Sequence, residues 1–161
     1  MAFPITHLEE AQKLSADAEI DLYTVTLRND PIIFRAKMDD TVTWRGNVYE
    51  GMPIQLAGES ETAEGDESRP ILHVLNPLGI FNEAAFANKL DLAVVRRDRV
   101  LRAHLDANVA VSVVRRWYIA RVRELISGQA ISFELRSLTE GPNHQVPARQ
   151  FIPPEFSHVS I

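Results

Sequence analysis

The sequence predicts a mainly β domain: a small β-barrel or sandwich of about eight strands, with two short helices and an extended C-terminal arm. Three observations carry this expectation. Short segments of alternating apolar and polar residues recur along most of the chain. Turn residues separate them at close intervals, so the strands arrive as meanders. After Gly141-Pro142 the alternation stops, in a stretch that holds four of the nine prolines.

The first helix is signalled by Thr6-His7-Leu8-Glu9, a capping-box pattern with Pro4 just ahead of it. Leu8, Ala11 and Leu14 then share one face as far as about Ser15. In "AEIDLYTVTL", Ile20, Leu22, Thr24 and Thr26 fall on one face and Asp21, Tyr23, Val25 and Leu27 on the other, which is a strand. The turn "RNDP" leads into a second strand, "IIFRAK". Val42–Trp44, the reversal Arg45-Gly46-Asn47 and Val48–Tyr49 form a tight hairpin. Gly51 and Pro53 interrupt the pattern before "IQLAG". The strand "RPILHVL" has Pro70 near its start, which fits an edge or first-residue position. Asn76-Pro77 opens the second helix, with Leu78, Phe81, Ala85 and Phe86 at roughly helical spacing.

"DLAVVRRDRVLRAHLD" reads as one long twisted strand. It carries charge on both faces, which argues against burial on both sides. "VSVVRRWYIARVRELISG" alternates Arg116, Tyr118, Ala120 and Val122 with Trp117, Ile119, Arg121 and Arg123. The last strand, "QAISFELRSLT", places Ile131, Phe133 and Leu135 on one face. These elements make residues 1–140 a β-rich domain and residues 141–161 an apolar, Pro-rich arm. An arm bearing Phe151, Ile152 and Phe156 is expected to wrap its own domain or dock on a neighbour.

A chain of 161 residues, 45% of them apolar, suits one domain with a real core. No run approaches the roughly 18 apolar residues of a membrane helix. The N-terminus lacks the basic start and apolar region of a secretory signal. The absence of cysteine excludes disulfides, thiolate metal sites and cysteine nucleophiles. The net charge of −5 argues against general nucleic-acid affinity. That sum hides an asymmetry: eight of the 14 arginines lie between Arg96 and Arg123, while acid gathers at Glu59, Glu61, Glu64, Asp66 and Glu67. Arginine, planar and multidentate, suits interfaces. A solvated acidic loop beside salt-bridged arginine strands accounts for the same pattern.

Little in the sequence carries reaction chemistry. The five histidines, His7, His73, His104, His144 and His158, have no metal-ligand spacing. There is no phosphate-binding glycine loop and no nucleophile elbow. Asp39, Asp40 and Asp98 are the only candidates for acid–base work, and adjacent carboxylates in a turn are ordinarily turn residues. Arg115-Arg116-Trp117-Tyr118 interleaves basic and aromatic residues, yet alternation sends the two aromatics to opposite faces. Trp44 and Tyr49 lack the polar company of a ligand site and read as packing residues across the hairpin. No cofactor and no metal is called for.

Four blocks in order resemble one family. They are "VTWRGNVYEGMPIQ", "SRPILHVLNPLGI", "LAVVRRDRVLRAHLD" and "RRWYIARVRELISGQAISFEL". They resemble the minor tail protein L family of lambda-like, long-tailed bacteriophages. The family's T-W-x-G-x-x-Y-x-x-x-P-I hairpin falls on Thr43–Ile54, its S-R-P strand on Ser68–Gly79, its V-V-R-R strand on Val94–Arg97 and its R-W strand on Arg116–Trp117. The match covers about Ile20 to Leu138.

The resemblance implies a non-enzymatic, structural component of the virion's tail tip, or baseplate, assembled in the host cytoplasm. It implies a symmetric ring of three or six copies around the tail channel. The partners implied are further copies of the chain, the distal tail protein and the central tail hub protein, with no membrane and no specific nucleic acid. DNA would pass through the lumen. The net charge of −5 and the Glu59–Glu67 cluster, and not the resemblance, give the expectation that the acidic loop faces it, where like charge would ease DNA passage. Longer family members continue into a cysteine-rich domain that looks like an iron–sulfur site. These 161 residues hold no cysteine, so no cluster is carried over. The expected contact residues are Arg96, Arg97, Arg99, Arg102, Arg115 and Arg116 of the arginine strands, with Phe151, Ile152 and Phe156 of the arm. The strand from Arg96 to Arg102 is expected to pair with a neighbouring subunit or the hub. A free-standing β-barrel module binding a carbohydrate or peptide is the alternative.

Overall fold

The computed structural model describes residues 18–59, 69–75, 81–126 and 129–137, together with His7 and Gly79. Nine strands form one sheet: β1 (Glu19–Thr26), β2 (Ile33–Lys37), β3 (Val42–Trp44), β4 (Asn47–Gly51), β5 (Ile54–Ala57), β6 (Ile71–Leu75), β7 (Val94–Leu101), β8 (Val113–Ile126) and β9 (Ala130–Ser137). Two short helices are described, α1 (Asn82–Phe86) and α2 (Arg102–Asp106). The expected helix near His7 and the arm from residue 141 lie outside the described residues.

The strand order is β3-β4-β2-β1-β7-β8-β9-β6-β5. Neighbours are antiparallel except β2 and β4, which pair in parallel at Ala36↔Glu50 and Lys37↔Gly51. The sheet is mainly β as expected, but it does not close into a barrel. Instead Met52 and Pro53 tie its two halves together. Met52 N–H donates to the Lys37 carbonyl and Leu75 N–H to the Pro53 carbonyl, both at 2.9 Å. Pro53 has no N–H to extend a ladder, so the tie stays this short.

The inner face holds the main core. Tyr23, Val25, Val95, Trp117, Ile119 and Leu135 lie on it, and α1 covers it with Phe81 and Ala84. Phe81 is the hub of the aromatics, 4.5 Å from the Phe34 ring and 5.8 Å from the Phe133 ring between centroids. Each such side chain, fully buried, contributes about 1.5–3 kcal/mol. A smaller core lies on the outer face, where the β3–β4 hairpin and α2 cover Leu22 and Val100 with Trp44, Tyr49 and Leu105.

Three expectations need correction. The segment from Asp91 to Asp106 is not one strand: β7 ends at Leu101 and α2 follows, burying Leu105. Nor is β7 spared burial on both sides. It runs mid-sheet, with Val95 and Arg97 buried on one face and Asp98 and Val100 on the other. Its charges are buried because they are paired within the chain. Finally, the alternation of β8 breaks at two irregularities, between Ile119 and Arg121 and between Val122 and Glu124. Each inserts an extra residue and shifts the period, so Val122 and Leu125 join the inner core.

Candidate functional site

The ladder sorts the arginines into two rows, one per face. Ala36, Tyr23, Arg97 and Arg115 stand side by side across β2, β1, β7 and β8. One residue along, on the outer face, the row is Arg35, Thr24, Arg96 and Arg116. Neighbours in a row are about 4.8 Å apart, the spacing between strands. Like charges so close need counter-ions.

On the inner face the counter-ion is Glu59. Arg97 donates through Nη1 to Oε2 at 2.6 Å and through Nη2 to Oε1 at 3.1 Å, and Arg115 Nη1 donates to Oε1 at 2.7 Å. Arg97 also lies 5.4 Å from the centre of the Trp117 ring. Beyond it, Arg99 clamps Asp21 through Nε and Nη2 at 2.8 and 3.2 Å. That bond raises the Arg99 pKa further, so its charge is permanent. Burial, with Asp21 alongside, pushes the Tyr23 hydroxyl up to about 12.

On the outer face Arg96 donates to Asp98 at 2.7 Å, and the Ser112 hydroxyl donates to the same carboxylate oxygen at 2.9 Å. This row floors a groove of about 390 Å³ roofed by the hairpin, where Arg45 joins Arg35, Arg96 and Arg116. The hairpin is held there by the loop after α2. Trp44 Nε1 donates to the Val109 carbonyl at 3.1 Å, and Arg45 N–H to Asn108 Oδ1 at 2.7 Å. Trp44 and Tyr49 are 2% and 3% exposed, packing residues as their sequence setting predicts.

The expected contact residues are thus partly brought together. Arg96 with Arg116 and Arg97 with Arg115 are direct cross-strand partners. Arg102 stands apart, exposed at the start of α2. Both edges of β7 are hydrogen-bonded within the chain, to β1 and β8. Strand pairing of β7 with a neighbouring subunit is therefore ruled out, and the expectation that the strand from Arg96 to Arg102 pairs in that way is corrected. Phe151, Ile152 and Phe156 lie outside the described residues. The sequence reading missed Arg35 and Arg45, because only the register and the hairpin fold bring them beside Arg96.

The three candidate acids do not converge. Asp39 and Asp40 border a second cleft of about 480 Å³, while Asp98 lines the outer groove. Asp40 is bound by the Lys37 ammonium, which holds its carboxyl below the ordinary 3.8. Among the described residues no group of His, Asp and Glu could hold a metal ion. His73 is a partner of the Ser132 hydroxyl at 2.9 Å, and His7 and His104 meet edge to face at 6.2 Å.

What the geometry defines is a β scaffold with a row containing arginines on each face of its sheet. The family model described as phage minor tail protein L matches residues 26–157, and the chain belongs to that family. Tail tip protein L of Escherichia phage lambda is 33% identical over 122 residues, covering 68% of this chain and 52% of that protein. The chain therefore spans about half the length of that relative. Membership makes it a structural protein of a bacteriophage tail, and a structural family accords with a non-enzymatic role.

Proposed function

We propose that the chain is a component of the tail tip, or baseplate, in which copies form a ring joining the distal tail tube to the central hub and receptor-binding assembly. The ring has three or six members, and DNA passes through its lumen. It forms in the host cytoplasm and ends in the virion. The observation that carries this reading is the family match, which runs through all but the first strand and beyond the last described one. The architecture supports it: a rigid sheet with paired interior charges offers side-chain surfaces on both faces. The barrel on which a free-standing binding module was premised is not formed, since the ladder is open between β3 and β5.

In this reading residues 1–140 are the ring domain and residues 141–161 an arm that buries Phe151, Ile152 and Phe156 against another tail-tip chain. Co-expression with the distal tail and hub proteins, followed by affinity capture of the hub, tests both parts. Wild-type chain is expected to be retained by the hub. Phe151→Ala with Phe156→Ala is expected to lose retention while keeping the wild-type melting temperature. A wild-type chain that is not retained contradicts the tail-tip reading; full retention of the double variant contradicts the arm.

A further inference from the structure

The sheet repeats one arrangement on its two faces. On the inner face the cross-strand pair Arg97 and Arg115 clamps the carboxylate of Glu59. On the outer face the neighbouring cross-strand pair, Arg96 and Arg116, has no such glutamate among the described residues. Arg35 extends this second row and Arg45 overhangs it, so among the described residues the groove presents four arginines and one acid, Asp98. Asp98 is held by Arg96 and Ser112. Among the described residues Arg35, Arg45 and Arg116 have no ion-pair partner.

We propose that this groove receives the acidic segment of a second copy of the chain, with carboxylates of Glu61, Glu64, Asp66 or Glu67 taking the place that Glu59 holds on the inner face. Residues 60–68 carry four acidic side chains and no basic one. Planar guanidinium pairs bind carboxylates in forked geometry, so the ligand chemistry matches that already made at Glu59. Position matches as well. Glu59, the residue just before the segment, is anchored on the inner face, whereas the groove opens on the outer one. Donor and acceptor on opposite faces make a head-to-tail contact, the kind that closes a ring. A nucleic-acid strand fits less well, because the chain carries a net charge of −5 and an aspartate sits in the groove. The proposal rests on the ring reading and assigns the segment to the joint between copies instead of to the lumen wall.

The test is binding of a fluorescently labelled peptide of residues 60–68 to the full chain, read by anisotropy. Saturable binding is expected that weakens as salt rises. Arg35→Ser with Arg116→Ser, neither of which holds an ion pair among the described residues, is expected to weaken it at least about tenfold. Arg123→Ser, exposed on β8 away from the groove, is expected to leave it unchanged. No binding, binding indifferent to the groove variant, or a groove-dependent preference for a single-stranded oligonucleotide over the peptide each overturns the proposal. Sedimentation of the same variants separates the two readings. Wild-type rings that survive the groove variant overturn this joint and leave the ring standing. A wild-type chain that stays monomeric yet binds the peptide overturns both the contact between copies and the ring.

Discussion

Arg97 and Glu59 form a forked ion pair, at 2.6 and 3.1 Å, across 38 positions of sequence. The Arg97 side chain is 5% exposed and the Glu59 side chain 26%. A guanidinium so enclosed needs its counter-ion, and Asp21 stands 3.9 Å from it. Removing one member of a buried pair leaves the other charged and uncompensated. Glu59→Gln is therefore expected to lower unfolding stability by about 2–4 kcal/mol. Arg116→Ser, an exposed change at a residue with no ion pair among the described residues, should stay within about 0.5 kcal/mol of wild type. Urea unfolding of both variants checks this; equal midpoints would contradict it.

Trp44 fastens the hairpin to the smaller core. It is 2% exposed and its indole N–H donates to the Val109 carbonyl. Trp44→Ala removes a large buried ring and leaves that carbonyl unpaired, so a loss of about 3–5 kcal/mol is expected. A melting temperature close to wild type would return Trp44 to consideration as a surface ligand contact.

Two glycines near the hairpin differ in kind. A Cβ on Gly51 would lie 2.3 Å from the Asp39 carbonyl oxygen and 2.7 Å from the Asp40 carbonyl carbon, both backbone atoms. Gly46 has φ +74° with nothing within 4 Å of its Cβ position. Gly46→Ala is thus expected to cost only the left-handed backbone penalty of about 1–2 kcal/mol. Gly51→Ala must push backbone apart where β4 leaves β2, and is expected to cost more. Thermal unfolding of the pair reads the order, and a milder Gly51→Ala would refute the close approach.

Tyr23 gives a pH dependence of definite sign. Its folded pKa, raised from 10.0 to about 12 by burial and then by Asp21, lies above the unfolded value. The folded state therefore favours the neutral phenol. The corresponding stability is complete below pH 10 and is lost as pH rises from 10 toward 12. The loss amounts to roughly 2–3 kcal/mol at the upper end. Tyr23→Phe should lack this component, so the two stability curves converge with rising pH. Curves that stay parallel would contradict it.

Alternation and turn residues located β1, β2, the hairpin, β5, β6 and β9, because each turns a row of apolar side chains to a core, β1 to both cores, and period-2 patterning records that. The hairpin reversal was legible too: Arg45 and Gly46 both adopt positive φ, at 51° and 74°, as a two-residue turn of this hand requires. The length of β7 was misjudged because "RAHLD" is too short to show helical period, and Leu105 is buried in a cluster with Leu22, Trp44, Tyr49 and Val100 that only the folded sheet assembles. The two irregularities of β8 leave no composition signal. The site was legible as a density of arginine between Arg96 and Arg123. Its division into a filled pair and an open pair was not, because it depends on register across four strands and on Glu59 folding back from a loop. Sequence grouped Glu59 with the acidic residues that follow it, whereas it belongs with the sheet.

The most direct test of a tail-tip ring is sedimentation of the pure protein, alone and mixed with the hub protein of the same phage. The expected result is a defined complex containing three or six copies of the chain. A chain that remains monomeric at all concentrations and ignores the hub would contradict the ring and turn attention to the 390 Å³ groove as a ligand site in its own right.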